Sequence, residues 1–149
     1  MKLSQMKLSI INRSTNPLPA YQTSGSAGVD LRAYLEQPVT LQPLERQLIP
    51  TGLHIALPNG YEAQIRARSG LSTKHGITLI NAVGTIDSDY RGEIKIGLVN
   101  LSNQAYTIEP GERVAQMIIS QYEQVKFELV DELDETDRGE GGFGSTDKK

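Results

Sequence analysis

The chain has 149 residues, a size at which one hydrophobic core is normal, and 38% of them are hydrophobic against 22% charged. No apolar run approaches the ~18 residues of a membrane-spanning helix, and the absence of cysteine excludes disulfides, thiol nucleophiles and cysteine-ligated zinc. The formal net charge is -3, but residues 1–130 carry 12 basic and 11 acidic side chains while the last nineteen carry 3 and 7, so the near-neutral body has no basic face for a nucleic-acid duplex.

With two histidines, His54 and His75, any chemistry falls to carboxylates, hydroxyls, arginines and backbone. No apolar stretch follows Met1–Gln5, so no secretory leader is expected. Along the chain, Leu8–Ile11 and Val29–Ala33 read as short strands on either side of the Pro17-Leu18-Pro19 turn. Leu53–Leu57 runs into Pro58-Asn59-Gly60, and then Tyr61–Arg68 alternates, with Tyr61, Ala63, Ile65 and Ala67 on one face and Glu62, Gln64, Arg66 and Arg68 on the other. Ser69–His75 is the one stretch that reads as a helical turn or two. Ile77–Ile80, Glu93–Asn100, Val114–Ile119 and Val125–Leu129 complete eight or so strands, with Pro110-Gly111 as a further turn. The pattern predicts an all-β domain, a sandwich, jelly roll or distorted barrel, with one short helix. After Val130 the chain turns charged and then glycine-rich, so a β-rich domain over 1–130 and a mobile arm over 131–149 are expected.

Four segments carry chemistry. Gly139–Gly144 satisfies G-x-G-x-x-G, but only five residues follow where a dinucleotide fold needs a helix. Its glycines, with Arg138, Ser145 and Thr146, instead offer donors suited to phosphate oxygens, unless the segment is a plain disordered tail. Arg68-Ser69-Gly70 opens the helical turn and reads either as an anion cradle or as a serine cap beside a solvated arginine. Asp87 and Asp89 stand two apart, spaced for a general base or a divalent cation, or simply for a β-turn closed by Gly92. Tyr90 between them and Gly92 is either core or a platform for a ring. Glu112, Arg113 and Gln116 mark the polar end of a strand, where surface ion pairing is the simplest reading.

Taken together, Ala27-Gly28-Val29-Asp30-Leu31-Arg32-Ala33, Arg68–Ser72, Gly84–Ile94, Gly111–Gln116 and Arg138–Thr146 resemble, in order and spacing, the five motifs of the trimeric deoxyuridine triphosphatases. The resemblance runs from about Pro17 to Thr146. It implies a jelly-roll-like or barrel-like β-sandwich that hydrolyses dUTP to dUMP and pyrophosphate, keeping uracil out of DNA and supplying dUMP for thymidylate synthesis. It assigns the base that activates water to Asp87, deoxyribose packing to Tyr90, uracil reading to Asn81 and the hairpin backbone around Thr85, and phosphate binding to Arg68, Ser69, Gly70 and Gln116. Arg138, Phe143, Gly144, Ser145 and Thr146 match a closing arm, Phe143 stacking on the base. Asp30 supports the site. Magnesium is implied as a cofactor carried by the triphosphate, with no direct protein ligand and Asp30 reaching it, if at all, through water. The resemblance further implies a cytoplasmic homotrimer with sites shared between subunits and neither nucleic-acid nor membrane partners. Asp147 departs from the pattern, since a carboxylate beside a distal phosphate is repulsive unless turned away.

Two rivals remain at this stage. Deoxycytidine triphosphate deaminases share the implied fold but attack the base ring with the help of a glutamate, against which Asp87 with Tyr90 argues. A non-catalytic sandwich that binds nucleotides or a protein predicts no pyrophosphate from dUTP.

Overall fold

The computed structural model describes residues 4–146. The described residues form eleven strands and one helix: β1 (Ser9–Asn12), β2 (Val29–Arg32), β3 (Val39–Leu41), β4 (Arg46–Pro50), β5 (Leu53–Ala56), β6 (Tyr61–Arg66), α1 (Ser69–His75), β7 (Ile77–Leu79), β8 (Gly84–Ile86), β9 (Lys95–Asn100), β10 (Tyr106–Ile108) and β11 (Arg113–Gln121). They pair antiparallel as a four-stranded sheet β2-β11-β6-β8, a three-stranded sheet β4-β9-β7, and two ribbons, β1-β5 and β10-β3. The result is a jelly-roll-like β-sandwich with one short helix and no closed barrel.

The expected alternation of β6 holds: Ala63 and Ile65 are buried and join Leu31 of β2 and Val114, Ala115 and Met117 of β11 in the core. The three-stranded sheet supplies Ile49, Ile77, Leu79, Ile96 and Leu98. In β9 the half-buried pattern fails, because Gly97 and Val99 on the second face are buried as well. Ile80 and Leu48 close over Gly97, where an added Cβ would lie 3.0 Å from Ile80 Cγ2 and 3.7 Å from Leu48 Cδ2. Asn100 is buried with its amide fully used. Its Nδ2 donates to Leu41 O (2.9 Å) and Gln104 O (2.7 Å), and its Oδ1 accepts from Ser102 N (2.9 Å) and Ser102 Oγ (2.8 Å).

Two expectations need correction. Ser69 does not cap α1; Arg68 occupies the cap position in extended conformation (φ -84°, ψ 134°), without a side-chain capping bond. The other helix end is conventional: Gly76 is left-handed (φ 69°) and donates to Ser72 O at 3.0 Å, with Lys74 and His75 in the last turn. The strand expected over Val125–Leu129 does not form: Val125, Phe127 and Leu129 are 69%, 93% and 100% exposed. A lone strand has no partner for its backbone, and among the described residues no strand pairs with this segment.

Candidate active site

The register of the four-stranded sheet fixes one half of the site. Gln116 on β11 stands opposite Asp30 on β2 and Arg66 on β6, so these residues share the face turned away from the core. Asp30 Oδ1 lies 3.3 Å from Arg68 Nε, and its Oδ2 lies 3.3 Å from Arg113 Nη1. Between Arg113 and Ala115 the β2-β11 ladder shifts register, a bulge of the kind that re-aims backbone groups. The Arg113 carbonyl accepts Arg68 Nη1 at 2.9 Å. Gln116 Nε2 donates to Ala67 O at 3.0 Å, and its Oε1 sits where Gly28 has no side chain; a Cβ there would meet it at 2.8 Å. One carboxylate against two guanidiniums leaves the cluster positive, and Ser69 and Gly70 lie exposed beside it.

The other half is the hairpin after β7. Asp87 and Asp89 do not lie in extended chain: Tyr90 N donates to Asp87 O at 3.2 Å, closing the β-turn that the Asp-Ser-Asp spacing also permits. Arg91 Nη1 braces this turn by donating to Ser88 O (2.7 Å) and Tyr90 O (3.1 Å). The Tyr90 ring folds over Gly92, where an added Cβ would stand 2.8 Å from its Cε1, and its hydroxyl donates to Glu93 O at 2.8 Å. Asn81, Thr85, Asp87 and Tyr90 border a cleft of about 330 Å³, together with Leu48, Glu93 and Lys95. The Asn81 amide fits between two glycines, its Nδ2 3.4 Å and its Oδ1 3.9 Å from the Cβ positions of Gly84 and Gly97. Asp87 and Thr85 also border a second hollow of about 570 Å³, with Glu62, Ser88 and Tyr122.

The third group stands apart from both. Arg138, Phe143, Gly144, Ser145 and Thr146 are exposed, and the segment's hydrogen bonds among the described residues are local: Arg138 Nε to Gly141 O (2.6 Å), Gly139 N to Thr136 Oγ1 (3.1 Å) and Ser145 N to Gly142 O (3.1 Å). Phe143 (φ 52°) and Gly144 (φ 84°) are both left-handed. Asp147 lies outside the described residues.

Thus Asp30, Arg68 and Gln116 come together, as do Asn81, Thr85, Asp87 and Tyr90, and Asp87 lies at the end of β6 opposite to Arg68. Ile86 pairs with Ala63, so Asp87 lies level with Glu62, whereas Arg68 is six residues further on, about 20 Å at ~3.3 Å per residue. The ion pairing read for Arg113 from the sequence is present, with Asp30 as its partner, and its carbonyl in addition receives Arg68. Leu48, Glu93 and Lys95 were not foreseen at the cleft, since only tertiary pairing brings β4 and β9 to Asn81.

Fold and site together define a jelly-roll-like β-sandwich protein, with a carboxylate hairpin at one end of a strand and a guanidinium cluster at the other. Comparison with known families narrows this class. The dUTPase family profile matches residues 14–147. Deoxyuridine 5'-triphosphate nucleotidohydrolases of Finegoldia magna and Fusobacterium nucleatum are 67% and 54% identical over 95% and 98% of this chain, covering 99% and 100% of their own lengths. The structure of the Staphylococcus bacteriophage 80alpha dUTPase with dUPNHPP superposes with a TM-score of 0.86 at 26% identity, covering 96% of this chain and 99% of that one. The chain belongs to the dUTPase family.

Proposed function

We propose that the protein hydrolyses dUTP to dUMP and pyrophosphate, in a site assembled from copies of the chain. The observation that carries this reading is the two separate half-sites on β6, each holding groups that the other lacks. In the proposed reaction Asp87 accepts a proton from a water whose oxygen attacks the α-phosphorus. The bond from the α-phosphorus to the α–β bridging oxygen breaks, and pyrophosphate leaves. Tyr90 packs on the deoxyribose and leaves no space for a 2′-hydroxyl, while Asn81 and the backbone around Thr85 read the uracil edge. A site built to pair with that edge rejects cytosine, because mismatched buried polar groups are costly.

Arg68, Ser69, Gly70 and Gln116 of a neighbouring copy hold the phosphates, with Asp30 fixing Arg68. The segment from residue 131 to 146 acts as a closing arm whose Arg138, Ser145 and Thr146 grip the distal phosphates and whose Phe143 stacks on the base. A homotrimer suits this division, and the uncovered Val125, Phe127 and Leu129 support contact with another copy. Among the described residues no three His, Cys, Asp or Glu side chains converge, and both Asp30 oxygens face guanidiniums. This donor set fits magnesium held by the triphosphate and reached by Asp30 through water; when bound, the ion offsets phosphate charge. No helix among the described residues is long and apolar enough to cross a membrane, and the near-neutral body supports a cytoplasmic enzyme without nucleic-acid partners.

Pyrophosphate release measured with dUTP, UTP, dCTP and dTTP tests the reading. Rapid release from dUTP alone is expected. Equal rates on UTP refute the role of Tyr90, ammonia from dCTP refutes the hydrolase assignment, and no release from any of the four leaves a non-catalytic binder.

A further inference from the structure

Glu112 and Tyr106 lie behind the arginine cluster, and neither is among the groups assigned to dUTP. Glu112 uses both carboxylate oxygens: Oε2 accepts the Tyr106 hydroxyl at 2.6 Å, and Oε1 accepts Glu109 N at 3.0 Å. Its backbone closes the Glu109–Glu112 turn (N to Glu109 O, 3.1 Å) and ties that turn to β2, accepting Ala33 N at 2.8 Å. The next residue is Arg113, where the bulge begins and whose carbonyl receives Arg68 Nη1.

Tyr106 is held in turn by its pairing with Leu41 and by the His75 ring at a centroid distance of 5.0 Å, at the far end of the helix that Arg68 opens. Partial burial and the bond to Glu112 push the pKa of the Tyr106 hydroxyl up to about 12, against the opposing charge of Arg68.

We propose that the Tyr106–Glu112 hydrogen bond is a positioning latch: by fixing the turn before the bulge, it holds the Arg113 carbonyl where it aims the Arg68 guanidinium at the phosphates. This inference deepens the proposed function and rests on Arg68 binding phosphate there. A charge-assisted bond on a carboxylate is worth roughly tenfold or more in an equilibrium, so Glu112→Ala should raise the KM for dUTP about tenfold and leave kcat within about twofold. Tyr106→Phe keeps the ring and its packing while removing the hydroxyl, and should raise KM by a smaller factor, about threefold.

The discriminating measurement is the same pair of substitutions in an Arg68→Ala background, followed by steady-state pyrophosphate release from dUTP. If the latch acts through Arg68, each should add less than about twofold to that variant's defect, since coupled residues are not additive. Full additivity beside a strong Arg68→Ala defect overturns the latch and leaves the phosphate assignment standing. An Arg68→Ala enzyme as active as the unaltered one overturns the phosphate assignment itself.

Discussion

Assemblies that combine Asp87→Asn chains with Arg68→Ala chains should recover activity that neither variant has alone. Asp87→Asn removes the proposed base and should lower turnover at least about a hundredfold; Arg68→Ala removes a preorganised donor and should lower kcat/KM at least about tenfold. Within one chain these residues lie about 20 Å apart along β6, whereas a base and a guanidinium acting on one triphosphate must stand within roughly 10 Å of each other. The proposed site therefore draws Asp87 from one copy and Arg68 from the next. In a cyclic trimer containing both variants, about one site in three then has both native residues; in a random equal mixture the share is about one in four. The assay is co-expression with two different tags, purification of doubly tagged assemblies, and pyrophosphate release per site from saturating dUTP. Recovery to about a third of the unaltered rate is expected. Doubly tagged assemblies no more active than either parent would show that each chain completes its own site, and the shared-site argument would fail.

Three further outcomes follow from the same geometry. Ending the chain after Asp137 should leave the melting temperature nearly unchanged, because residues 138–145 bond locally, while dUTP hydrolysis falls at least about tenfold; undiminished hydrolysis would make the glycine-rich end a passive tail. Gly28→Ala should displace the Gln116 side chain, whose Oε1 would lie 2.8 Å from the new methyl, and lower kcat/KM about tenfold in steady-state assays. A rate equal to the unaltered protein's would mean that Gln116 is not needed where it now sits. Because folding raises Tyr106 from 10.0 to about 12, the stability it contributes is whole below pH 10 and is lost as pH rises through about 12. Urea melts across that interval should show a steeper decline for the unaltered protein than for Tyr106→Phe; parallel curves would contradict the shift.

The fold class was legible in the sequence because β6 alternates cleanly and turn residues mark its neighbours. Four strands were missed for specific reasons. β3, β8 and β10 have three residues each, too few to display a period of two, and β4 ends on Pro50 with Leu48 facing out. The expected strand over Val125–Leu129 has the right residues but no partner within the chain, and residue pattern alone does not reveal which edge is available. Motif spacing singled out Asp30, Arg68 and Gln116 on one side and Asn81, Thr85, Asp87 and Tyr90 on the other. Their grouping depends on register, which brings Asp30 level with Gln116 and sets Asp87 six residues from Arg68 along β6. The same limit hid the partners of Arg113, since Asp30 and Arg68 are 83 and 45 residues from it.

The uncovered Val125, Phe127 and Leu129 bear on how the protein has to be handled. A solitary chain leaves this apolar stretch open to water and proteases shortly after β11, so if the proposed assembly covers it, dilution should cost activity. In the proposed assembly the enzyme's lifetime in solution depends on how soon one copy meets another, and purification at low concentration works against it.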